Sequence, residues 1–106
     1  MAIFEVDELE FGALMAQEFE KKQIVILKFG SEFCDSCHAL EGELEDLEEE
    51  NENISIFIID CNESPDLAEK YNVRKLPTMV IYKDAKNILF RYEGVVLSQD
   101  IEEIIS

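Results

Sequence analysis

The strongest constraint on this 106-residue chain is a pair of short, almost unbroken apolar runs, Ile24 to Phe29 and Ile54 to Ile59. Neither run alternates polar with apolar residues, so each predicts a strand covered on both faces. Between them Leu40, Leu44 and Leu47 recur at i, i+4 and i+7 with acids filling most other positions. That spacing predicts an amphipathic helix reaching about Glu50. Two buried strands joined through such a helix pair in parallel by a right-handed crossover.

The remaining elements fit around this unit. Ile3 to Val6 reads as a brief strand, Asp7 as a helix cap, and Leu9, Leu14, Met15 and Phe19 as the apolar positions of a helix ending near Lys21 and Lys22. Pro65 is well placed as the first residue of a short helix running through Tyr71. Met79 to Lys83 and Ile88 to Tyr92 read as two strands joined by Asp84-Ala85-Lys86-Asn87, with a last helix from about Ser98 to Ile105. The order is βαβαβαββα: an α/β fold with a central mixed sheet and helices on both faces. No repeat, linker or change of composition divides the chain, so residues 1–106 are expected to form a single domain. With 47% apolar residues, seven of them Phe, it has enough side-chain volume for a core without staples.

Charge narrows the partners. Nine Lys and Arg face 25 Asp and Glu, a formal net charge of -16 that repels nucleic-acid backbones and anionic lipid alike. From Phe29 to Glu69 there are 14 acidic residues and no Lys or Arg, a field that favours solubility and, on a sharper reading, cationic partner proteins. No apolar stretch is long enough to span a bilayer, and the N-terminal residues lack the pattern of a secretory signal, so a cytoplasmic protein without membrane contact is expected.

Three cysteines in a chain without an export signal suggest a reducing compartment, where thiols serve reactivity or metal binding more than stapling. Cys34 and Cys37 stand where a central strand hands over to a helix. A two-residue spacing lets the sulfurs bridge, and a helix N-terminus stabilises a thiolate on the first of them. Cys34 is thus the candidate nucleophile and Cys37, one turn inside, the candidate resolving thiol. Three further residues are candidates for tuning these sulfurs. Asp35, with Glu32 nearby, disfavours a second negative charge, whereas His38 favours it when protonated. Lys28 is the one charge in a doubly buried strand. Either it snorkels to the surface or pairs with an acid, or it lies beneath Cys37 and stabilises a thiolate or, if neutralised by burial, accepts its proton.

The stretch Lys28-Phe29-Gly30-Ser31-Glu32-Phe33-Cys34-Asp35-Ser36-Cys37 resembles the strand, turn and redox motif of the thioredoxin family, and Leu76-Pro77-Thr78 strengthens the likeness. Gly94, Phe29, Asp60 and Pro65 also fall where that family has similar residues, so the resemblance covers essentially the whole chain. It implies a thioredoxin fold, a cis-proline at Pro77 beside the redox pair, and a groove in which Phe33, Leu76 and Pro77 receive a partner peptide. It further implies reduction of protein disulfides by a monomer without a bound cofactor, recharged by a thioredoxin-reductase-like electron donor. The departures are specific. Phe33, Asp35 and Ser36 replace the family's usual Trp and Gly-Pro, Lys28 stands where a buried carboxylate is expected, and the lysine partner of that carboxylate falls at about Ile58. Gly42 replaces a mid-helix proline. These changes leave open a second reading, a thioredoxin-fold binding or redox-sensing module with little turnover, and a third, an oxidant or isomerase.

Two ligand chemistries compete for the same cysteines. Cys34-Asp35-Ser36-Cys37-His38 fits the attachment pattern of a c-type haem, but such haems are added after export. Zinc held by Cys34, Cys37, His38 and Cys61 is conceivable in ligand type, but neighbouring Cys37 and His38 diverge on a helix, so no metal site is expected. Cys61 reads as a buried inert thiol, with a regulatory or intermolecular thiol as the alternative.

Overall fold

The computed structural model describes residues 3–106. Its elements are β1 (Ile3–Glu5), α1 (Phe11–Glu20), β2 (Ile24–Gly30), α2 (Asp35–Glu50), β3 (Ile54–Asp60), α3 (Pro65–Lys70), β4 (Thr78–Asp84), β5 (Asn87–Glu93) and α4 (Ser98–Ile105). This is the expected α/β order. The sheet runs β1-β3-β2-β4-β5, with β1, β3 and β2 parallel and β4 and β5 antiparallel to their neighbours.

The order of strands explains why helices lie on both faces. From β1 the chain crosses over β3 to reach β2, and from β2 it returns the other way to β3. Crossovers of one hand but opposite direction put their helices on opposite sides of the sheet. The alternation along β2 records this. Val25, Leu27 and Phe29 join Phe11 and Met15 of α1 and Leu67 of α3 in one core. Ile26 joins Leu40, Leu44 and Leu47 of α2 and Ile101 of α4 in the other. Lys28 shares its strand parity with Ile26 and therefore faces α2.

Three details depart from the expectation. Leu9 is 96% exposed rather than part of a buried helix face. Asp7 does not cap α1 itself: its carboxylate accepts the backbone N–H groups of Leu9 and Glu10 at 2.9 and 3.0 Å, closing a turn that precedes the helix. That turn carries Leu9 outward before the helical period begins at Phe11. At the other end, α3 stops at Lys70, and Tyr71 serves as its C-terminal cap.

The far end of α1 carries a buried polar cluster. Glu18 is almost fully buried; its carboxylate accepts from Ser55 Oγ at 2.5 Å and from Lys21 Nζ at 3.1 Å, and Gln23 donates to Ser55 at 3.2 Å. Burial pushes the Glu18 carboxyl up, but the hydrogen bonds from Ser55 and Lys21 and the charge of Lys21 outweigh it and hold the group below its ordinary value.

Candidate active site

The parallel strands end together, at Glu5, Asp60 and Gly30, and the chain leaves β2 there to enter α2. Cys34 is the N-cap of α2, in extended conformation, and its sulfur accepts the backbone N–H of Cys37 at 3.2 Å. Ser36 Oγ lies 3.4 Å from the same sulfur. The outer sulfur therefore sits at the positive end of the helix dipole with two hydrogen-bond donors at hand, a setting that favours a thiolate once the pair is reduced. Cys34 and Cys37 are joined by a disulfide with a Cα–Cα distance of 5.2 Å. Cys34 is half-buried, whereas Cys37 is fully buried under the helix. The two sulfurs are thus unequal: one can be reached from solvent and the other cannot.

Phe33 precedes them with 85% of its surface exposed. Asp35 occupies the first turn of α2 and is exposed. His38 takes a defined position: Nε2 donates to the Glu32 carbonyl at 2.9 Å, and Nδ1 lies 3.4 Å from Glu41 Oε2. The hydrogen bond to the Glu32 carbonyl, reinforced by Glu41, raises the imidazole above its ordinary value.

Lys28 is 3% exposed, and its Nζ lies 3.4 Å from Glu41 Oε1. It thus pairs with an acid, and its ammonium also approaches the region of the inner sulfur. A Cβ built on Gly30 would meet Lys28 Nζ at 2.8 Å and Cys37 Sγ at 3.0 Å. The ammonium and the sulfur therefore both close over Gly30, no farther apart than the sum of those two distances. Glu41 was not among the residues singled out from sequence. Its position four residues after Cys37 and three after His38 was the available signal, because that spacing makes Glu41 a helical neighbour of each of them in turn.

The Leu76–Pro77 peptide is cis. Thr78 is paired with Phe29 across β2 and β4, so Pro77 lies at the same end of the sheet as Gly30 and the cysteine loop. Its carbonyl accepts from Gly94 N at 2.8 Å, and Gly94 has φ +126°, in a region side chains disfavour. Pro77 is buried while Leu76 is partly exposed.

A cleft of about 480 Å³ opens between the ends of β1, β2 and β3 and the start of α2. Lys28, Gly30, His38 and Glu41 line it together with Glu5, Asp60 and other acids. Cys61, at the end of β3, is half-buried rather than fully so, and burial together with Asp60 pushes its thiol up despite the opposing charge of Lys28. Among the described residues no three of His, Cys, Asp or Glu are placed to hold a metal ion, and no helix is long and apolar enough to cross a membrane.

Comparison with known proteins gives the arrangement its context. Residues 2–106 match the family model for thioredoxin. The chain is 35% identical over 65 residues to a thioredoxin of Chlamydia trachomatis, covering 61% of this chain and 64% of that one. It is 30% identical over 80 residues to a thioredoxin of Buchnera aphidicola, covering 74% and 73%. Two matched relatives are much longer. The chain spans 45% of a thioredoxin-2 of Pyricularia oryzae and 15% of a putative protein disulfide-isomerase of Schizosaccharomyces pombe. Among solved structures, chloroplastic thioredoxin z superposes with a TM-score of 0.86 at 29% identity, covering 99% of this chain and 92% of that one. A match to the family model over nearly the full length, on a sheet that presents a Cys-x-x-Cys disulfide at a helix N-terminus, establishes that the chain belongs to the thioredoxin family.

Proposed function

We propose that this protein is a thiol-disulfide oxidoreductase that reduces disulfides of partner proteins. The observation that carries this reading is the unequal pair: a reachable Cys34 sulfur at a helix N-terminus bonded to a fully buried Cys37. In the reduced protein the Cys34 thiolate attacks a sulfur of the partner's disulfide, and one partner thiolate leaves. Cys37 then attacks Cys34, restoring the internal disulfide and releasing the second partner thiolate. Two electrons pass from the dithiol to the partner. Exposed Phe33, half-open Leu76 and the carbonyl-anchored Pro77 form the surface against which an extended partner segment lies. A thioredoxin-reductase-like flavoenzyme in a reducing compartment such as the cytoplasm resupplies the electrons, and turnover needs no bound cofactor.

Reduction of insulin with dithiothreitol as electron source tests the proposal. The parent protein accelerates insulin precipitation well above the reagent alone, Cys34→Ser abolishes the acceleration, and Cys37→Ser accumulates a covalent protein–insulin adduct. A rate no higher than the reagent background would instead favour the binding or redox-sensing module. One observation speaks for that second reading: the site of the family's proton-managing carboxylate holds Lys28.

A further inference from the structure

The polar groups behind the disulfide form a chain of their own. His38 on the helix surface meets one oxygen of Glu41, the other oxygen of Glu41 meets Lys28, and the Lys28 ammonium closes with the Cys37 sulfur over Gly30. A buried ammonium is expensive, and an apolar side chain of similar length would satisfy this strand position at no such cost. The carboxylate that compensates it stands at 3.4 Å, longer than the usual separation of a tight charged hydrogen bond. The same ammonium also acts on the inner sulfur, which closes over Gly30 with it.

We infer that Lys28 is the positioning cation of the resolving thiol, holding the buried Cys37 sulfur as a thiolate during the second half of the reaction, with Glu41 setting how strongly it does so. The inference rests on the proposed reductase reading and adds to it the source of charge stabilisation at a site where the family's carboxylate is absent. In the mixed-disulfide state Cys37 carries a thiol. Its S–H bond breaks, the proton passes by way of the Lys28–Glu41 pair, which lines the cleft, to the water there, and the remaining electron pair on sulfur forms the bond to Cys34 Sγ as the Cys34–partner bond breaks. The partner sulfur departs with that bond's electrons and takes up a proton from solvent. A positive charge behind Cys37 stabilises the anion formed at the start of this sequence. The other charges that face it act with opposite signs. From α2, protonated His38 assists and Glu41 opposes; the other carboxylates lining the cleft, Glu32 on the approach to the helix, Asp60 and Glu63 at and after the end of β3, and Glu5, Asp7 and Glu10 from the end of β1 to the start of α1, also oppose. Cys61 feels the same ammonium from the side of β3.

The test reads the thiol itself, in a Cys34→Ser background that leaves Cys37 reduced and alone. Thiolate absorbance near 240 nm is followed against pH, with thiol alkylation as a second measure. Adding Lys28→Met shifts the Cys37 titration upward by about one unit or more, the size expected for losing an opposite charge at this range. Adding Glu41→Gln shifts it downward, because the ammonium loses its counter-charge. A purely structural role for the pair would give no such opposed shifts. Circular dichroism confirms that each variant is folded, and Lys28→Met/Glu41→Gln supplies a neutral reference should either single variant be disordered. A Cys37 titration unmoved by Lys28→Met, or moved the same way by both substitutions, overturns the inference. Insulin reduction is scored separately: a protein that shows the opposed shifts but reduces no insulin keeps the electrostatic assignment and loses the reductase reading.

Discussion

Gly30 is the last residue of β2, and its missing side chain is what lets Lys28 and Cys37 meet. Gly30→Ala places a methyl group 2.8 Å from Lys28 Nζ and 3.0 Å from both Lys28 Cε and Cys37 Sγ. Three contacts at or inside 3.0 Å cannot stand, so something must move. The tip of Lys28 can swing toward the cleft, at the expense of its ion pair with Glu41, but the sulfur belongs to a fully buried residue of α2. Overpacking of this kind costs about 1–3 kcal/mol. Against it, replacing glycine within a strand gains roughly 0.5–1 kcal/mol. The midpoints of these ranges leave a net loss of about 1 kcal/mol, or roughly 4–8 °C in Tm in a chain of this size. Urea unfolding of the oxidised protein, followed by far-ultraviolet circular dichroism, measures it as a lower midpoint at unchanged slope. The companion experiment introduces Gly30→Ala into Lys28→Ala, which removes two of the three close atoms; there the penalty shrinks. A Gly30→Ala protein as stable as its parent would refute the reasoning. An equal penalty in both backgrounds would show that the sulfur alone is the obstacle.

Two further outcomes concern the body of the fold. Ser55→Ala removes the donor that holds the buried Glu18 carboxylate, and costs about 1–3 kcal/mol at neutral pH. Because the Glu18 value is depressed in the folded state, its contribution is present above the unfolded carboxyl's pKa and disappears as pH falls through the lower folded one. The difference between parent and variant, read from urea midpoints, therefore narrows toward pH 3; a gap that widens on acidification would contradict the assignment. Leu44→Ala, between α2 and the sheet, leaves a cavity in the core that Leu44 shares with Ile26, Ile56 and Ile81 and costs about 2–5 kcal/mol in the same assay, with the slope unchanged.

The order of elements was readable because β2 and β3 carry unbroken apolar runs and α2 carries its leucines at helical spacing, patterns that packing on both faces enforces. What escaped was local. Leu9 looked like part of an apolar helix face, but the Asp7 carboxylate accepts from the backbone N–H groups of Leu9 and Glu10 and ties them into a turn, so Leu9 stands ahead of the helical period that begins at Phe11. Glu18 gave no sign of burial, because its partner Ser55 lies 37 residues away on another element. The site shows the same division. The Cys34–Cys37 spacing, the position before α2 and Pro77 could be picked out in sequence, whereas the placement of Lys28 between Glu41 and Cys37 depends on the parity of β2 and the rotation of α2. Only coordinates fix those two together.

The carboxylates around the cleft have a consequence for encounters between copies of the protein. Two such molecules meeting sulfur to sulfur must also bring Glu32, Asp60 and their neighbours face to face, and that repulsion extends over about 8–10 Å before physiological salt screens it. A sulfur guarded this way collides less often with its own twin, which lessens covalent self-linkage, while a positively charged visitor meets no such barrier.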